Sequence, residues 1–271
     1  VPVENGSDLY LTIDENKIEE LITDKTVAIL PVHVYGHPCN VEAIESIAKK
    51  HGLIVLYDAA HAFAVKVNGK SIANYGDISM FSFHATKLFH SIEGGALAYN
   101  KSEYAEILNA YKNFGIMDEE HVEYVGRNAK MNEFQAAMGL CNLDSMEDIL
   151  VKRKEITLRY REHLKGIPEV RMFYVESDKI EYNYAYLPIL VNTKENREEL
   201  YNFLAEHDIF VRKYFYPIVS DYECYKELYN EVKLPVAKKS GDTVLTLPIY
   251  HELSLEDVDR VCFFIKKYFD K

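Results

Sequence analysis

"VAILPVHVYGHPCNVEAIESIAKKHGLIVLYDAA" spans residues 27–60 and decides the fold of the chain. Its first part, 27–34, is mostly apolar and β-branched, which predicts a strand. Residues 41–52 have helical spacing and end in a glycine, which predicts a helix. The unbroken apolar run 53–57 ends at Asp58 and predicts a second strand. Since such runs are typical of parallel strands covered on both faces, the stretch predicts a βαβ unit with a right-handed crossover.

Asp58 carries the first functional indication. In sheets of this kind ligands bind at the carboxyl ends of strands, and Asp58 lies at such an end. Two more strands are predicted at 78–82 and 96–99, followed by a helix from about 102 to 111. The first of these strands ends at Ser82. Asp58 and Ser82 are therefore candidates for one site.

The second half of the chain has a different pattern. Residues 132–164 have helical spacing without proline, which is long for one globular helix and predicts a bent helix or two abutting helices between two lobes. The pattern after it predicts a strand (182–191), a helix (193–208), a strand and turn (211–217), and a last strand followed by a helix capped by Ser254. We predict a larger α/β domain at 1–145 and a smaller α+β domain at 146–271.

Composition excludes several classes of partner. The 271 residues carry a formal net charge of -12 and a pI near 5.3, which argues against binding to nucleic acid or an anionic membrane surface. No apolar run approaches the ~20 residues of a membrane span. Four scattered cysteines, with no CxxC pair, predict neither a disulfide framework nor a metal site. We expect a cytoplasmic protein without metal, nucleic acid or membrane partners.

Lys87 lies in the stretch "SFHATKLFHSIEGGAL", residues 82–97. Phe83 and Phe89 are near it, and no carboxylate follows before Glu93. Desolvation without a nearby anion lowers the pKa of a lysine, which is what an amine that attacks a carbonyl requires. Lys87 is therefore a candidate for Schiff-base chemistry. The alternative is an ordinary surface lysine at the tip of a loop.

The residues around Asp58 fit the same chemistry. A carboxylate at the end of an apolar strand needs a cation, and a protonated pyridine nitrogen would serve. Ala60 is small enough for a flat ring to lie against the backbone. His61 is a candidate hydrogen-bond partner for a ring oxygen, and Ser82 is one for a phosphate. Asp58 is alternatively a helix cap, His61 a packing residue, and Ser82 an ordinary end of a strand.

Three stretches resemble, in this order, the signature of the DegT/DnrJ/EryC1/StrS family of sugar aminotransferases, which are fold-type-I pyridoxal-phosphate enzymes. They are "YDAAHAF" (57–63), "GDISMFSFHATKLFHSIEGGAL" (76–97) and "GRNAKMNEFQAAMGL" (126–140). The segments "HVYGHP", "VRKYFYP" and "VLTLPIYHELS" are also similar to its members. The resemblance implies an α/β fold: a fold-type-I large domain with a mostly parallel sheet flanked by helices, and a smaller C-terminal α+β domain.

The resemblance also implies roles for single residues. Lys87 would form the Schiff base with the cofactor and move the proton between cofactor and substrate. Asp58 would pair with the pyridine nitrogen, and Ala60 and His61 would lie beside the ring. Ser82 would bind the phosphate. Asn128 would reach the phosphate in the neighbouring subunit, which makes a homodimer with shared active sites part of the expectation.

The expected activity is transfer of an amino group from glutamate to a keto-deoxy sugar of a nucleotide sugar. Relatives in which histidine replaces the lysine dehydrate sugars instead, and the presence of Lys87 favours the transaminase. Family members carry a phosphate-binding segment upstream of the part that matches Val1, so we expect a chain that lacks the N-terminal part of the large domain. An inactive or partner-dependent fragment is the alternative.

Two further possibilities concern binding. A nucleotide-binding α/β domain without pyridoxal phosphate is disfavoured, because neither G-x-G-x-x-G nor G-x-x-x-x-G-K-[ST] occurs. Tyrosines of the smaller lobe, together with Arg212, Lys213 and Tyr214, are either contacts for a base, sugar or diphosphate or ordinary strand packing and surface. Glu133 and Gln135 are expected to be helix residues near the subunit interface.

Overall fold

A computed structural model describes residues 11–270 of the chain. The helices of this part are α1 (Val41–His51), α2 (Tyr104–Lys112), α3 (Glu133–Asp144), α4 (Met146–Leu164), α5 (Lys194–Ala205), α6 (Pro235–Thr243) and α7 (Leu255–Phe269). The strands are β1 (Ala28–Ile29), β2 (Ile54–Asp58), β3 (Lys66–Val67), β4 (Lys70–Ser71), β5 (Ile78–Ser82), β6 (Gly95–Tyr99), β7 (Val170–Met172), β8 (Ile180–Glu181), β9 (Leu187–Val191) and β10 (Val244–Leu247). They form three sheets.

The first sheet has the strand order β1-β2-β5-β6. β1, β2 and β5 are parallel, and β6 is antiparallel to β5. α1 connects β1 to β2; its Asn40 cap accepts a hydrogen bond from the Ala43 N–H, and it ends at Gly52 with φ +65°. Ile44 and Val55 join the core between helix and sheet. The predicted strand, helix and parallel strand are therefore confirmed.

The first strand is shorter than predicted. The sequence pattern indicated a strand at 27–34, whereas β1 ends at Ile29. Pro31 has no N–H to donate, which interrupts the ladder, although Val32 still pairs in parallel with Asp58. The backbone at Tyr35 has a positive φ of 59°. The chain therefore leaves the sheet level with Asp58, the last residue of β2.

The long helical pattern forms two helices, which is one of the two alternatives predicted for it. α3 ends and α4 begins at Ser145. Met146 at the start of α4 shares a hydrophobic cluster with Phe89, while Ile156 and Leu164 farther along belong to the core of the C-terminal half. α4 therefore connects the loop that carries Lys87 with that core.

The C-terminal half contains an antiparallel sheet with the order β10-β9-β7. α4, α5 and α7 share its hydrophobic core, and α7 begins after Ser254, whose hydroxyl accepts the Asp257 N–H as predicted. Two predicted strands are shorter here than expected. Only Leu187–Val191 of the tyrosine-rich run is a strand, and residues 211–217 contribute a single bridge between Arg212 and Thr246.

The third sheet, β4-β3-β8, joins the two halves of the chain. In it, Lys66 forms an ion pair with Glu181. The predicted division between residues 145 and 146 falls at the break between α3 and α4, and β8 crosses it to pair with β3. A division into two domains at this point stays a prediction.

Three observations concern the excluded partners. Within residues 11–270, no helix combines the length and the apolar character needed to cross a bilayer. The same residues contain no group of three His, Cys, Asp or Glu side chains suited to a metal ion. All four cysteines are free; Cys39 and Cys262 are buried, and Cys141 and Cys224 are exposed.

Candidate active site

Asp58 and Ser82 end at the same edge of the first sheet. Asp58 pairs with Met80 of the neighbouring parallel strand, and Ser82 lies two residues farther along that strand. The backbone of Asp58 is held on its other side, where its N–H donates to the Pro31 carbonyl at 2.9 Å. The parallel pairing thus brings the two predicted strand ends together.

The Asp58 carboxylate takes part in a turn. Its Oδ1 accepts a hydrogen bond from the Ala60 N–H at 3.0 Å, which holds the chain as it leaves β2. No helix follows in this stretch, so the alternative that Asp58 caps a helix is wrong. Ala59 is fully buried, while Ala60 and Asp58 are partly exposed. The carboxylate therefore keeps capacity for a second partner.

His61 is neutral and has a defined proton position. Burial, followed by the positive charge of Lys87, lowers the pKa of His61 to about 3. Its Nδ1 accepts the Tyr35 N–H at 3.0 Å, so the ring proton lies on Nε2. The ring stacks on Phe215 with centroids 5.5 Å apart. His61 thus combines the two predicted alternatives: it packs, and it keeps one N–H to donate.

Lys87 lies in the loop between β5 and β6. Its N–H donates to the His84 carbonyl at 2.9 Å, and Leu88 and Phe89 beside it are buried. These neighbours pull the loop against the protein, so that the Lys87 side chain is only partly exposed. Glu93, the next carboxylate along the chain, lies 3.6 Å from His84.

The environment of the Lys87 amine is that of an activated lysine. Burial lowers the pKa of Lys87 below its ordinary value, and the Asp58 carboxylate raises it by a smaller amount. Its Nζ donates to the Tyr186 hydroxyl at 3.4 Å. Lys87 therefore interacts electrostatically with Asp58 and with His61, which disfavours the alternative of a surface lysine at a loop tip.

Tyr186 was not assigned to the site from the sequence. Its ring lies 4.7 Å from that of His61 and 5.9 Å from that of Tyr35, and its hydroxyl contacts Lys87. The density of tyrosines at 182–186 was the only sequence signal for this role. That signal predicted a strand, because tyrosine is also common in strands.

The other tyrosine-region candidates make contacts within the chain. Lys213 forms an ion pair with Glu198, and Arg212 donates to the Tyr214 hydroxyl at 3.1 Å. The Tyr214 ring stacks on Phe215 with centroids 4.9 Å apart. These contacts favour the packing alternative for Lys213, whereas Tyr214 and Phe215 border the site through their rings.

Asn128 lies apart from the other candidates. It is exposed, and its Oδ1 accepts a hydrogen bond from Lys130 at 2.9 Å. Its backbone pairs with Asn113, and none of these contacts is with the Lys87 site of its own chain. Its role toward a neighbouring subunit stays a prediction. Gln135 forms a capping box at the start of α3, which is the helix role expected for it.

The model of the DegT/DnrJ/EryC1/StrS aminotransferase family matches residues 2–266 of the chain. The chain belongs to this family. It is 41% identical over 253 residues to a dTDP-4-amino-4,6-dideoxy-D-glucose transaminase of Shigella dysenteriae, covering 93% of this chain and 69% of that protein. It is 37% identical over 257 residues to a GDP-perosamine synthase of Escherichia coli O157:H7, covering 93% and 68%.

A solved structure agrees with the family assignment. Helicobacter pylori PseC, an aminotransferase involved in the biosynthesis of pseudoaminic acid, superposes with a TM-score of 0.90 at 28% identity. The match covers 97% of this chain and 73% of PseC. The predicted family and fold class are confirmed, as is the enzyme class: the chain is a pyridoxal-phosphate-dependent aminotransferase.

The residues of the site fit pyridoxal phosphate. Lys87 offers an amine of reduced basicity, and Asp58 offers a carboxylate with one oxygen engaged in a turn. His61 keeps its Nε2 proton for an acceptor, because Nδ1 is already bonded. Ser82 ends β5 with its hydroxyl bonded only weakly, at 3.4 Å, to the His84 N–H. An aldehyde, a ring nitrogen, a ring oxygen and a phosphate would each find a suitable group.

Proposed function

We propose that this aminotransferase moves an amino group from glutamate to a keto-deoxy sugar carried by a nucleotide, in the biosynthesis of amino sugars. The observation that carries the proposal is the partly buried Lys87 amine, whose pKa is lowered, beside Asp58 and His61. The names of the two curated relatives support the substrate class, because each name contains an amino sugar linked to a nucleotide, dTDP or GDP. Glutamate as the donor comes from the family resemblance.

The residues divide the work by their chemistry. Bound pyridoxal phosphate supplies an aldehyde that condenses with amines and a ring that takes up an electron pair released from carbon. Lys87 would bind the aldehyde through Nζ and, when free, would take the proton from the donor carbon and return one to the sugar carbon. Asp58 would hold the proton of the ring nitrogen, and His61 would donate its Nε2 proton to the ring oxygen. Ser82 would bind the phosphate.

The lowered pKa of Lys87 suits this role for a physical reason. Only the neutral amine has the lone pair that attacks a carbonyl or accepts a proton. Burial removes part of the water that stabilises the ammonium, so a larger fraction of Lys87 is neutral near neutral pH than for an exposed lysine. The partial burial keeps the amine accessible to substrate.

Reduction of the protein with borohydride in the presence of pyridoxal phosphate is expected to attach the cofactor to Lys87. Borohydride converts the reversible bond between aldehyde and amine into a stable one, which peptide mapping by mass spectrometry then locates. Lys87→Arg is the matched control and should carry no adduct in that peptide. An adduct on another lysine, or none at all, contradicts the proposed role.

We also propose a homodimer with shared active sites. Exposed apolar side chains are frequent over residues 114–143, which we call the 114–143 surface; they are Phe114, Ile116, Val122, Val125, Met131, Phe134, Met138, Leu140 and Leu143. Val125 and Phe134 are 97% and 87% exposed. Exposed apolar side chains in this number favour a protein partner, and the exposed Asn128 lies in the same stretch of the chain. A second copy placed here would set Asn128 at the interface, which fits the role that the family resemblance implies for it.

Phe134→Glu is expected to convert the dimer into a monomer. A charged side chain buried in an apolar interface is desolvated without a partner, which costs more than the contact contributed. Light scattering after size-exclusion chromatography measures the mass directly. Phe210→Glu is the control, since Phe210 is 73% exposed outside this surface. A dimer that persists in Phe134→Glu but dissociates in Phe210→Glu would place the interface elsewhere.

We propose that the enzyme works in the cytoplasm. The four free cysteines support a reducing compartment, where thiols persist.

A further inference from the structure

Tyr186 contacts the nitrogen that the proposed function makes reactive. Its hydroxyl lies 3.4 Å from Lys87 Nζ, and its ring centroid lies 5.9 Å from the same atom. Among the described residues, this is the hydrogen bond that Nζ makes. Lys87 and Tyr186 are 99 residues apart, so tertiary structure alone creates the contact.

Asn183 attaches the segment that carries Tyr186 to the sheet side of the site. The Asn183 side chain is fully buried, and its Nδ2 donates to the carbonyls of His61 and Phe63, both at 2.8 Å. Its Oδ1 accepts the Ala185 N–H at 3.1 Å. Both amide protons are thus bonded next to His61, which fixes the backbone immediately before Tyr186.

Arg153 of α4 also holds the segment that carries Tyr186. Its Nη1 donates to the carbonyls of Tyr184 and Ala185 at 3.3 and 3.2 Å. The guanidinium is buried, and burial lowers the pKa of Arg153 to about 10. In residues 11–270, its Nε has no hydrogen-bond partner. A buried cation is costly, and here its hydrogen bonds go to the backbone that places Tyr186.

We propose that the Tyr186 hydroxyl is a catalytic hydrogen-bond partner that holds the Lys87 amine in one orientation, and that Asn183 and Arg153 are positioning residues that act through Tyr186. This inference rests on the proposed role of Lys87. A phenol hydroxyl accepts a hydrogen bond from an ammonium and donates one to a neutral amine. One group therefore serves both protonation states of a lysine that gains and loses a proton.

The properties of Tyr186 fit that use. Burial raises the pKa of Tyr186 to about 12, so the hydroxyl keeps its proton where the enzyme works. The 3.4 Å distance exceeds the usual range of about 2.7–3.2 Å, so the bond is weak: it orients the amine at rest and breaks easily when the amine moves toward substrate. No proton has to leave Tyr186 during the reaction.

The groups that face Lys87 determine how a test can be read. Lys87 is within the field of Asp58, His61 and Tyr186, and His61 is neutral. The pKa of Tyr186 is in turn affected by Tyr214, Arg153 and Arg212. Tyr186→Phe removes only the hydroxyl and leaves the charge of Asp58 in place. A change in the titration of Lys87 in this variant therefore reports the hydrogen bond.

The test measures the rate at which acetic anhydride acetylates Lys87 in the full, cofactor-free chain across the neutral and alkaline pH range. Mass spectrometry follows the Lys87 peptide, and the midpoint of the rate profile gives the pKa. Tyr186→Phe is expected to lower this midpoint by about 0.5 to 1 pH unit, because the ammonium loses an acceptor that the neutral amine needs less. With cofactor and substrates, kcat is expected to fall about tenfold and KM to stay within about twofold.

Two further variants separate positioning from general damage. Tyr214→Phe removes a hydroxyl from a ring 6.5 Å from that of Tyr186, and the Lys87 midpoint should not change. Arg153→Lys keeps the charge but loses the planar fork that spans two carbonyls. Arg153→Lys should lower the Lys87 midpoint in the parent protein, and it should cause no further lowering when Tyr186→Phe is already present. Circular dichroism checks that each variant is folded.

An unchanged or raised Lys87 midpoint in folded Tyr186→Phe overturns the inference, and so does an equal shift in Tyr214→Phe. An effect of Arg153→Lys that persists in Tyr186→Phe removes Arg153 as a positioning residue. Because acetylation is measured without cofactor, these outcomes are independent of borohydride labelling. Loss of labelling at Lys87 would overturn the proposed function by itself.

Discussion

Lys87→Arg is expected to reduce aminotransfer by at least about 10³-fold, since positioned proton transfer by a side chain contributes about 10²–10⁴-fold and the covalent step is lost as well. Arginine keeps the positive charge and much of the length of lysine. Its guanidinium stays protonated at any working pH, so it offers neither an attacking lone pair nor a proton acceptor. The measurement is the single-turnover rate of amino transfer from glutamate to a nucleotide-linked keto sugar.

A matched control for Lys87→Arg is Lys49→Arg. Lys49 is exposed on α1 and forms an ion pair with Glu45, one helical turn before it. Neither residue is among the site residues. Replacement of Lys49 should leave the rate unchanged. Activity of Lys87→Arg close to that of the parent protein would contradict the proposed role of Lys87, whatever the cofactor content of the two variants.

Asp58→Asn is expected to reduce kcat roughly 10- to 150-fold, the equivalent of the about 1.5–3 kcal/mol contributed by a hydrogen bond to a charged group. The amide can still accept the Ala60 N–H, so the turn after β2 is retained. What disappears is the charge that would stabilise a protonated ring nitrogen. The absorption spectrum of the bound cofactor and the steady-state rate are the two measurements.

The same substitution has an effect without cofactor. Because Asp58 raises the pKa of Lys87, its neutralisation should lower that pKa further, and acetylation of Lys87 would show this as a lower midpoint. Asp24→Asn, at an exposed position, serves as the control. Full activity of Asp58→Asn would mean that the carboxylate serves the turn alone.

The fold of the first half could be predicted because its signals are local. The apolar run into Asp58 and the helical spacing before it are properties of adjacent residues, and parallel pairing of β1 with β2 follows from them. The break between the two helices at Ser145 was harder to predict. Both helices continue the same spacing across it, so the sequence allowed a bend as readily as two helices.

The candidate site was predictable only in part. Asp58, Ala60, His61, Ser82 and Lys87 lie in two short stretches, where the strand ends and the family resemblance both point to them. Their individual roles stay predictions.

The sequence by itself determined the family, the parallel strands that bring Asp58 and Ser82 to one edge, and the lysine in the loop that follows. Tertiary structure alone decided that Tyr186 faces Lys87 and that the His61 proton lies on Nε2. These facts depend on hydrogen bonds between residues far apart in the chain. Packing of the C-terminal half against the sheet creates the contact between Tyr186 and Lys87, and the fold of the first half brings the Tyr35 N–H to His61. No local pattern of residues records either contact.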